Sequence, residues 1–167
     1  GWQNHDAVFF YDLFAFPKKP GYGVLDFGDY LSIIILNTDH GEPVIGPQTD
    51  WLEAILSERQ HVPHVFPVYH VPAYPSVRDF DTWTSPEVRE FWTPLFDEYG
   101  IKIAFEHHDH AYKRTPPIRQ GAIDSLGVVY IGDGAWGVEP REVHDANATW
   151  YLEKALSVRH VIGVTIQ

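Results

Sequence analysis

The chain has 167 residues, enough for one domain with a substantial hydrophobic core. Its 44% hydrophobic content excludes a disordered or low-complexity chain, and no apolar run is as long as a membrane span. Twelve basic against 23 acidic side chains give a formal net charge of −11, without a visible stripe of Lys and Arg. We therefore expect a globular protein that binds neither nucleic acid nor a membrane.

Cysteine is absent, which excludes disulfides, thiolate nucleophiles and cysteine-based zinc sites. This fits a reducing compartment as well as an exported protein without bridges. Methionine is also absent, so we expect that the N-terminus has been cut or processed. Histidine is unusually frequent, with ten residues, and the middle of the chain holds His61, His64, His70, His107, His108 and His110. Neutral imidazole is the commonest metal ligand in proteins, so this cluster is the first candidate site.

The first third of the chain predicts strands followed by a helix. Residues 7–15 (AVFFYDLFA) have the composition of an extended segment, and strands are predicted at 24–28 and 31–38. The Gly28-Asp29 pair between these two strands favours a hairpin. Residues 48–60 have apolar side chains at helical spacing and charges on the opposite face, which predicts a helix.

The middle of the chain predicts a strand, a helix and a second strand. Residues 64–71 (HVFPVYHV) favour a strand, although Pro67 would suit an edge or a strand's start better than its middle. Ser85, as a capping hydroxyl before Pro86, predicts the start of a helix that continues to Gly100. A short buried strand is predicted directly afterwards, at 101–105.

The last third predicts a strand at 127–132, a third amphipathic helix at 146–156 and a closing strand at 159–166. Helices that alternate with strands indicate a layered α/β domain. Four tryptophans are most simply read as packing residues, although Trp136 could border a site: Trp83, Trp92, Trp136 and Trp150.

Candidate ligands follow the predicted strands. His108 and His110 come just after the strand at 101–105, His70 comes at the end of the strand at 64–71, and Asn4-His5-Asp6 precedes the first extended segment. In an extended backbone, residues two apart point the same way, so His108 and His110 could face one ion or two adjacent ions. Open α/β sheets bind ligands at the carboxyl ends of their strands. Taken alone, the run at 107–110 is equally compatible with polar surface, a single histidine at a strand end is more often a hydrogen-bonded structural residue, and a tripeptide such as 4–6 at a terminus usually has no function.

Three segments in this order resemble motifs of a known family: residues 3–6 (QNHD) resemble GNH[DE], residues 70–74 (HVPAY) resemble HxPxY, and residues 108–114 (HDHAYKR) resemble GHxHAYER. The resemblance is to the calcineurin-like metallophosphoesterase superfamily, in its purple acid phosphatase branch, and extends over residues 3–137. It implies a layered α/β/β/α sandwich. It also implies that residues 1–167 form a single domain, the carboxyl part of a metallophosphoesterase domain and an incomplete copy without the first strands.

The resemblance implies hydrolysis of a small phosphate-ester substrate by a hydroxide that two metal ions activate. By the same resemblance, Asn4, His70 and His108 bind one ion, His110 binds the other, and His5 contacts the phosphate and protonates the leaving group. Iron, zinc and manganese all remain candidates, and no other cofactor is implied. Monoester, diester and nucleotide substrates stay open, and export or a periplasmic location is favoured by the resemblance.

The chain departs from the family pattern in several places. It lacks the two motifs that the family places before GNH[DE], so the second metal site cannot be completed from this sequence, and the missing segment could be a separate chain. Gln3 and His107 stand where the family has glycine. Asp39, Asp109 and His107 could replace missing ligands, but nothing in the sequence favours them. The alternative interpretation is therefore a non-catalytic or degenerate domain of this fold with a binding or structural role.

Overall fold

The computed structural model describes residues 12–16, 20–132 and 134–166. The strands are β1 (Gly23–Phe27), β2 (Leu31–Ile35), β3 (His64–Tyr69), β4 (Ile103–Glu106), β5 (Tyr112–Arg114), β6 (Ile118–Arg119), β7 (Ala122–Ile123), β8 (Val129–Gly132) and β9 (Lys154–Leu156). The helices are α1 (Pro47–Glu58), α2 (Ser85–Glu87), a π-helical segment (Val88–Trp92) and α3 (Thr93–Glu98). Among the described residues, none of the helices has the length and apolar character needed to cross a membrane.

One mixed sheet of seven strands has the spatial order β1-β2-β3-β4-β8-β5-β9, and β6 and β7 form a separate hairpin. β1 and β2 are antiparallel, with Gly23 opposite Ile35, so the predicted hairpin is confirmed. Gly28 in its turn has a φ of 59°, a conformation that glycine adopts without a steric penalty. β2 ends at Ile35, three residues before the predicted end of the strand.

β2, β3, β4 and β8 run parallel, and helices connect β2 to β3 and β3 to β4. Both predicted helices pack on the same face of the sheet, where their apolar side chains join those of the strands in one core: Leu52, Leu56, Val88, Trp92 and Phe96 with Ile34, Tyr69, Ala104 and Tyr130. Because the strands are parallel, their carboxyl ends meet at one edge.

The second helical region departs from the prediction at its start and in its middle. Thr84, not Ser85, occupies the N-cap position, and Ser85 Oγ has no hydrogen-bond partner among the described residues. In the π-helical segment, the Thr93 N–H donates to the Val88 carbonyl. Pro94 has no N–H to offer to an α-helical ladder, so a local widening at this point is physically reasonable.

Pro67 lies in the middle of β3, between two neighbouring strands, and not at an edge or a strand's start. The Val68 carbonyl accepts a hydrogen bond from the Leu36 N–H, 3.0 Å, so Val68 faces β2. Pro67 therefore faces β4, and the pairing of β3 with β4 begins only at Val68. The strand tolerates Pro67 because no ladder hydrogen bond needs its missing N–H.

The prediction of a helix at 146–156 is wrong. Isolated turns occupy the first part of this segment, and its last residues form β9, which pairs antiparallel with β5. Tyr151 is buried, and its hydroxyl donates to the Pro75 carbonyl at 2.9 Å. The predicted closing strand at 159–166 is also wrong, because residues 157–166 have no regular secondary structure.

The predicted extended segment at 7–15 lies mostly outside the described residues. Within the part that is described, Asp12 and Leu13 are helical, not extended. These two residues do not bear on the arrangement at the carboxyl edge of the sheet.

The face of the sheet opposite the helices is apolar and only partly covered. Phe66, Val68 and Phe105 lie on it, with Val164 and Ile166 from the end of the chain, around a cavity of about 220 Å³. Among the residues described, no second large sheet packs here. The sheet and its single helical layer are thus half of the four-layer arrangement expected from the sequence.

Candidate functional site

Three polar segments meet at the carboxyl edge of the sheet. Residues 37–40 follow β2, His70 follows β3, and residues 107–110 follow β4. The His70 carbonyl accepts hydrogen bonds from the N–H groups of His107, 3.1 Å, and His108, 2.9 Å. The backbone thus joins two of the predicted ligand segments directly.

His70 and His108 form a close pair. His70 Nε2 and His108 Nδ1 lie 2.8 Å apart, and the ring centroids are 4.7 Å apart at an interplanar angle of 74°. This is a hydrogen-bond distance, so one ring donates an N–H to the other, and the tautomers decide which ring is the donor. Two nitrogens bound at ~2.1 Å to one tetrahedral ion lie about 3.4 Å apart, so a small separation of the two rings would bring them to the spacing of neighbouring ligands.

The surroundings of this pair keep both imidazoles neutral. Burial and, to a smaller extent, the nearby histidines, including His108 and His40, together lower the pKa of His70 to about 4. Burial lowers the pKa of His108 to about 4 as well, with the guanidinium groups of Arg78 and Arg141 also acting on it. Neutral imidazole carries the lone pair that a metal ion needs.

The backbone that carries His110 is not extended, as the sequence pattern assumes. Residues 108–110 form a turn, and His110 has a φ of 54°. The rule that residues two apart point the same way therefore does not apply to His108 and His110. His110 still lies near the pair, because its ring acts on the pKa of His70.

The donor set fits part of a metal site. Within residues 12–16, 20–132 and 134–166, no three His, Cys, Asp or Glu side chains are grouped so that they could hold one ion. Asn4 and His5, the other predicted site residues, lie outside the described ranges. The neutral nitrogens of His70 and His108 could occupy two positions of a coordination sphere, and no third His, Cys, Asp or Glu side chain of the described ranges joins them.

Asp109, considered above as a substitute ligand, has another role. Its buried carboxylate accepts hydrogen bonds from Ser76 N and Ser76 Oγ, from Val77 N at 2.9 Å and from Arg78 Nη1 at 3.2 Å. Both carboxylate oxygens are thus occupied by the loop that follows His70. Asp109 holds this loop against the turn that carries His108 and His110.

Replacement of Asp109 by alanine is expected to lower the free energy of unfolding by about 1–3 kcal/mol, because it leaves the buried N–H groups of Ser76 and Val77 without an acceptor. Urea unfolding followed by circular dichroism measures this change. Asp79 in the same loop is exposed, and Asp79→Ala is the matched control, with an expected effect below about 0.5 kcal/mol. Equal effects of the two substitutions would contradict the role of Asp109.

The other two residues considered above as substitute ligands are Asp39 and His107. Asp39 is exposed and has a φ of 59°. His107 replaces the glycine of the family motif without a positive φ. The glycine that this region requires is instead Gly134, where any Cβ would collide with the His107 carbonyl oxygen. The close backbone approach is therefore supplied from the segment after β8.

Sequence reasoning missed two residues beside the histidine pair. His40 lies with its ring 5.0 Å from that of His70, and Trp83 lies 4.7 Å from His40 and 5.8 Å from His108. Trp83 packs in a loop, against the two histidine rings, and its side chain is 50% exposed. His40 could have been found, because it follows β2 as His70 follows β3.

Two arginines lie at this edge of the sheet. Arg141 Nη1 donates to the His108 carbonyl at 3.4 Å, whereas the charge of Arg78 is balanced by an ion pair with Asp109. Burial and both guanidinium groups lower the pKa of His110. Arg141 is therefore the group at this edge that would attract an anion such as a phosphate.

Comparisons with known proteins agree with the motifs. Purple acid phosphatase 18 of Arabidopsis thaliana is 31% identical over 118 residues, 68% of this chain and 27% of that protein. A nucleotide pyrophosphatase/phosphodiesterase of Hordeum vulgare is 35% identical over 80 residues, 44% of this chain and 22% of that protein. A purple acid phosphatase from yellow lupin (Lupinus luteus) seeds superimposes with a TM-score of 0.68 at 22% identity, over 83% of this chain and 27% of that chain. No protein-family model matches the chain.

The likeness to the lupin structure confirms the predicted fold as a partial copy of the metallophosphoesterase architecture. The chain spans 27% of the length of the Arabidopsis relative and 22% of the Hordeum relative. Sequence identity, fold and the ordered motifs agree with one another. The chain belongs to the purple acid phosphatase-like metallophosphoesterases and corresponds to one part of the length of its relatives.

Proposed function

We propose that the protein hydrolyses phosphate esters with the help of metal ions, and that His70 and His108 bind one of these ions. The observation that supports this most directly is the separation of 2.8 Å between His70 Nε2 and His108 Nδ1 at the carboxyl edge of the sheet. The relatives named above are phosphatases and phosphodiesterases, so the chemistry fits the family.

The remaining roles in this proposal rest on the motifs. Asn4 would be a third ligand of the ion bound by His70 and His108, His110 would bind a second ion, and His5 would contact the phosphate and protonate the leaving group. Iron, zinc or manganese ions bound here would polarise the phosphate and lower the pKa of water. An unperturbed imidazole has a pKa suited to proton transfer near neutral pH, which supports the role of His5.

The described residues prepare the site for this chemistry. In this proposal His70 and His108 give two nitrogen ligands, and the charge of Arg141 beside His108 attracts the phosphate group. Asp109 keeps the loop after His70 in place, so the two ligand-bearing segments cannot separate freely. The described residues thus supply part of the metal binding, and the positioning of the two ligand-bearing segments.

The proposal extends to the organisation of the protein. We take residues 1–167 as a single domain unit that forms the carboxyl part of a metallophosphoesterase domain, with the other ligands supplied by a further segment, in the same chain or a separate one. Export or a periplasmic location, suggested by the family resemblance, belongs to the same proposal.

The test is hydrolysis by the protein in its full natural length, assayed after dialysis against a chelator. p-Nitrophenyl phosphate serves as the monoester and bis(p-nitrophenyl) phosphate as the diester. We expect no turnover by the chelated protein and recovery with added zinc, manganese or iron. Turnover that is insensitive to the chelator, or no turnover with any metal, would refute the proposal.

A non-catalytic role is the alternative, and two departures from the signature favour it. His107 replaces glycine, and Lys113 replaces the glutamate of GHxHAYER. Under this alternative the full-length protein binds metal ions without turning over either ester. Metal analysis of the dialysed protein, combined with the two assays, separates the two functions.

A further inference from the structure

Trp83 combines an exposed side chain with a constrained backbone. Its φ is 43°, in the left-handed region, which bulky residues rarely adopt, and its side chain is 50% exposed. Such strain persists only where the surrounding structure imposes it, and it is concentrated at functional sites. Trp92, in contrast, is fully buried in the core.

The segment that carries Trp83 is firmly anchored. Arg89 Nη1 donates to the carbonyls of Phe80 and Ala73, each at 2.7 Å, and Arg89 Nη2 donates to Asp81 Oδ1 at 2.6 Å. The Arg89 guanidinium also lies 3.7 Å from the centroid of the Phe80 ring. The contacts of Arg89 with Phe80 and Asp81 thus fix the segment just before Trp83 and keep the indole in its exposed position.

The indole lies against the site. Its centroid is 4.7 Å from the ring of His40 and 5.8 Å from that of His108, and His40 in turn lies 5.0 Å from His70. These four rings form one cluster, in which the exposed indole contacts His40 and also His108, a proposed metal ligand, directly. A substrate whose phosphate lies at the histidine pair would have its organic group within reach of Trp83.

We propose that Trp83, with His40 beside it, forms a stacking subsite that selects phosphate esters with a flat aromatic group. The inference rests on the proposed function, since it places the phosphate at the His70–His108 pair. Stacking requires a π face of the ligand, which a nucleobase and a phenyl ring both offer. An aliphatic ester offers none.

The first test compares kcat/KM for adenosine 5′-monophosphate, phenyl phosphate and glycerol 3-phosphate in the full-length protein. Trp83→Ala is expected to reduce the preference for either aromatic ester over glycerol 3-phosphate by roughly 5- to 100-fold. Trp83→Phe, which keeps an aromatic face, should retain part of the preference. Trp150 is 49% exposed and packs on Tyr74 and Tyr151, so Trp150→Ala is the matched control and should keep the preference of the wild type.

The second test does not depend on turnover. Saturation-transfer NMR with adenosine and with phenol, neither of which carries phosphate, should detect binding to the wild type and its loss in Trp83→Ala. Binding of adenosine alone assigns the subsite to a nucleobase, and binding of both assigns it to planar rings in general. An unchanged signal in Trp83→Ala, or no binding of either compound, overturns the inference. If hydrolysis is absent but Trp83-dependent binding is present, the proposed function fails and the subsite stands.

Discussion

Replacement of Lys113 by methionine is expected to lower the free energy of unfolding by about 3–5 kcal/mol, because it leaves a buried charge on Glu106 without its partner. The two side chains form an ion pair in the interior, where Lys113 is 1% and Glu106 0% exposed. Lys113 Nζ also donates to the Tyr74 carbonyl. Urea unfolding monitored by circular dichroism gives the change.

Glu106 is more than a counter-ion for Lys113. Its Oε1 accepts hydrogen bonds from the Tyr69 hydroxyl and from the Ala73 N–H, each at 2.7 Å. Burial and the neighbouring carboxylate hold the pKa of Tyr69 well above its usual value, so its hydroxyl stays a donor. The carboxylate thus connects the end of β4 to the loop that follows His70.

A double variant separates the charge from these hydrogen bonds. Glu106→Gln with Lys113→Met removes both charges and keeps a carbonyl oxygen for Tyr69 and Ala73. Replacement of a whole buried pair by neutral groups costs far less than the removal of one partner. We therefore expect the double variant to be more stable than Lys113→Met alone, and the reverse order would contradict this account.

The pair of Arg114 and Glu153 is the control on the surface. Their side chains are 42% and 48% exposed, so Arg114→Met should cost about 1 kcal/mol or less. If Lys113→Met costs no more than Arg114→Met, the buried pair does not support the structure in this way. The contrast matters because Lys113 stands where the GHxHAYER signature has glutamate.

The presence of Lys113 in place of glutamate also shows why the sequence alone does not predict the role of the residue at this position. Glu106 and Lys113 are seven residues apart, on two strands that do not pair with each other, and only the folded sheet brings them together. Gly132 on β8, between the two strands, provides the space, since a Cβ there would overlap the Lys113 side chain. The residues that accommodate Lys113 are its neighbours in space, and no local sequence pattern identifies them.

The region from β2 to β4 could be predicted because its signals are local. Runs of β-branched residues such as 33–35 predict strands, and the spacing of Trp51, Leu52, Ile55 and Leu56 predicts α1. Parallel strands then place the residues that follow them at one edge. The proximity of His70 and His108 follows from this rule before any coordinates are considered.

The errors arose where distant partners decide the structure. Ala148, Tyr151 and Leu152 have helical spacing, but the Tyr151 hydroxyl donates to the Pro75 carbonyl, 76 residues earlier, and residues 154–156 pair with β5. The His108-x-His110 spacing likewise predicts an extended segment, but Asp109 binds residues 76–78, and residues 108–110 form a turn. Local periodicity contains no information on either contact.

Substitution of His108 or of His70 by alanine in the full-length protein is expected to weaken zinc or manganese binding by ~100-fold or more. Loss of a residue that only orients a ligand already costs about 10- to 100-fold, and these two side chains are the proposed ligands themselves. Isothermal titration calorimetry measures the affinity. Hydrolysis of p-nitrophenyl phosphate should fall in parallel, since it requires the same ion.

The double variant distinguishes ligation from a structural effect. If both rings hold one ion, removal of either disrupts the same site, so His70→Ala with His108→Ala should bind metal scarcely worse than each single variant. If the losses of metal affinity in the two single variants multiply in the double variant, the two rings have separate roles.

His61 provides the matched control for these substitutions. It precedes β3, whereas His70 follows that strand, so the two lie at opposite ends of β3, and the His61 side chain is 63% exposed. His61→Ala should leave the metal affinity and the hydrolysis rate within about twofold of the wild type. Equal losses in His61→Ala and His108→Ala would show that metal binds through histidines in general, and the assignment of the His70–His108 pair would then be wrong.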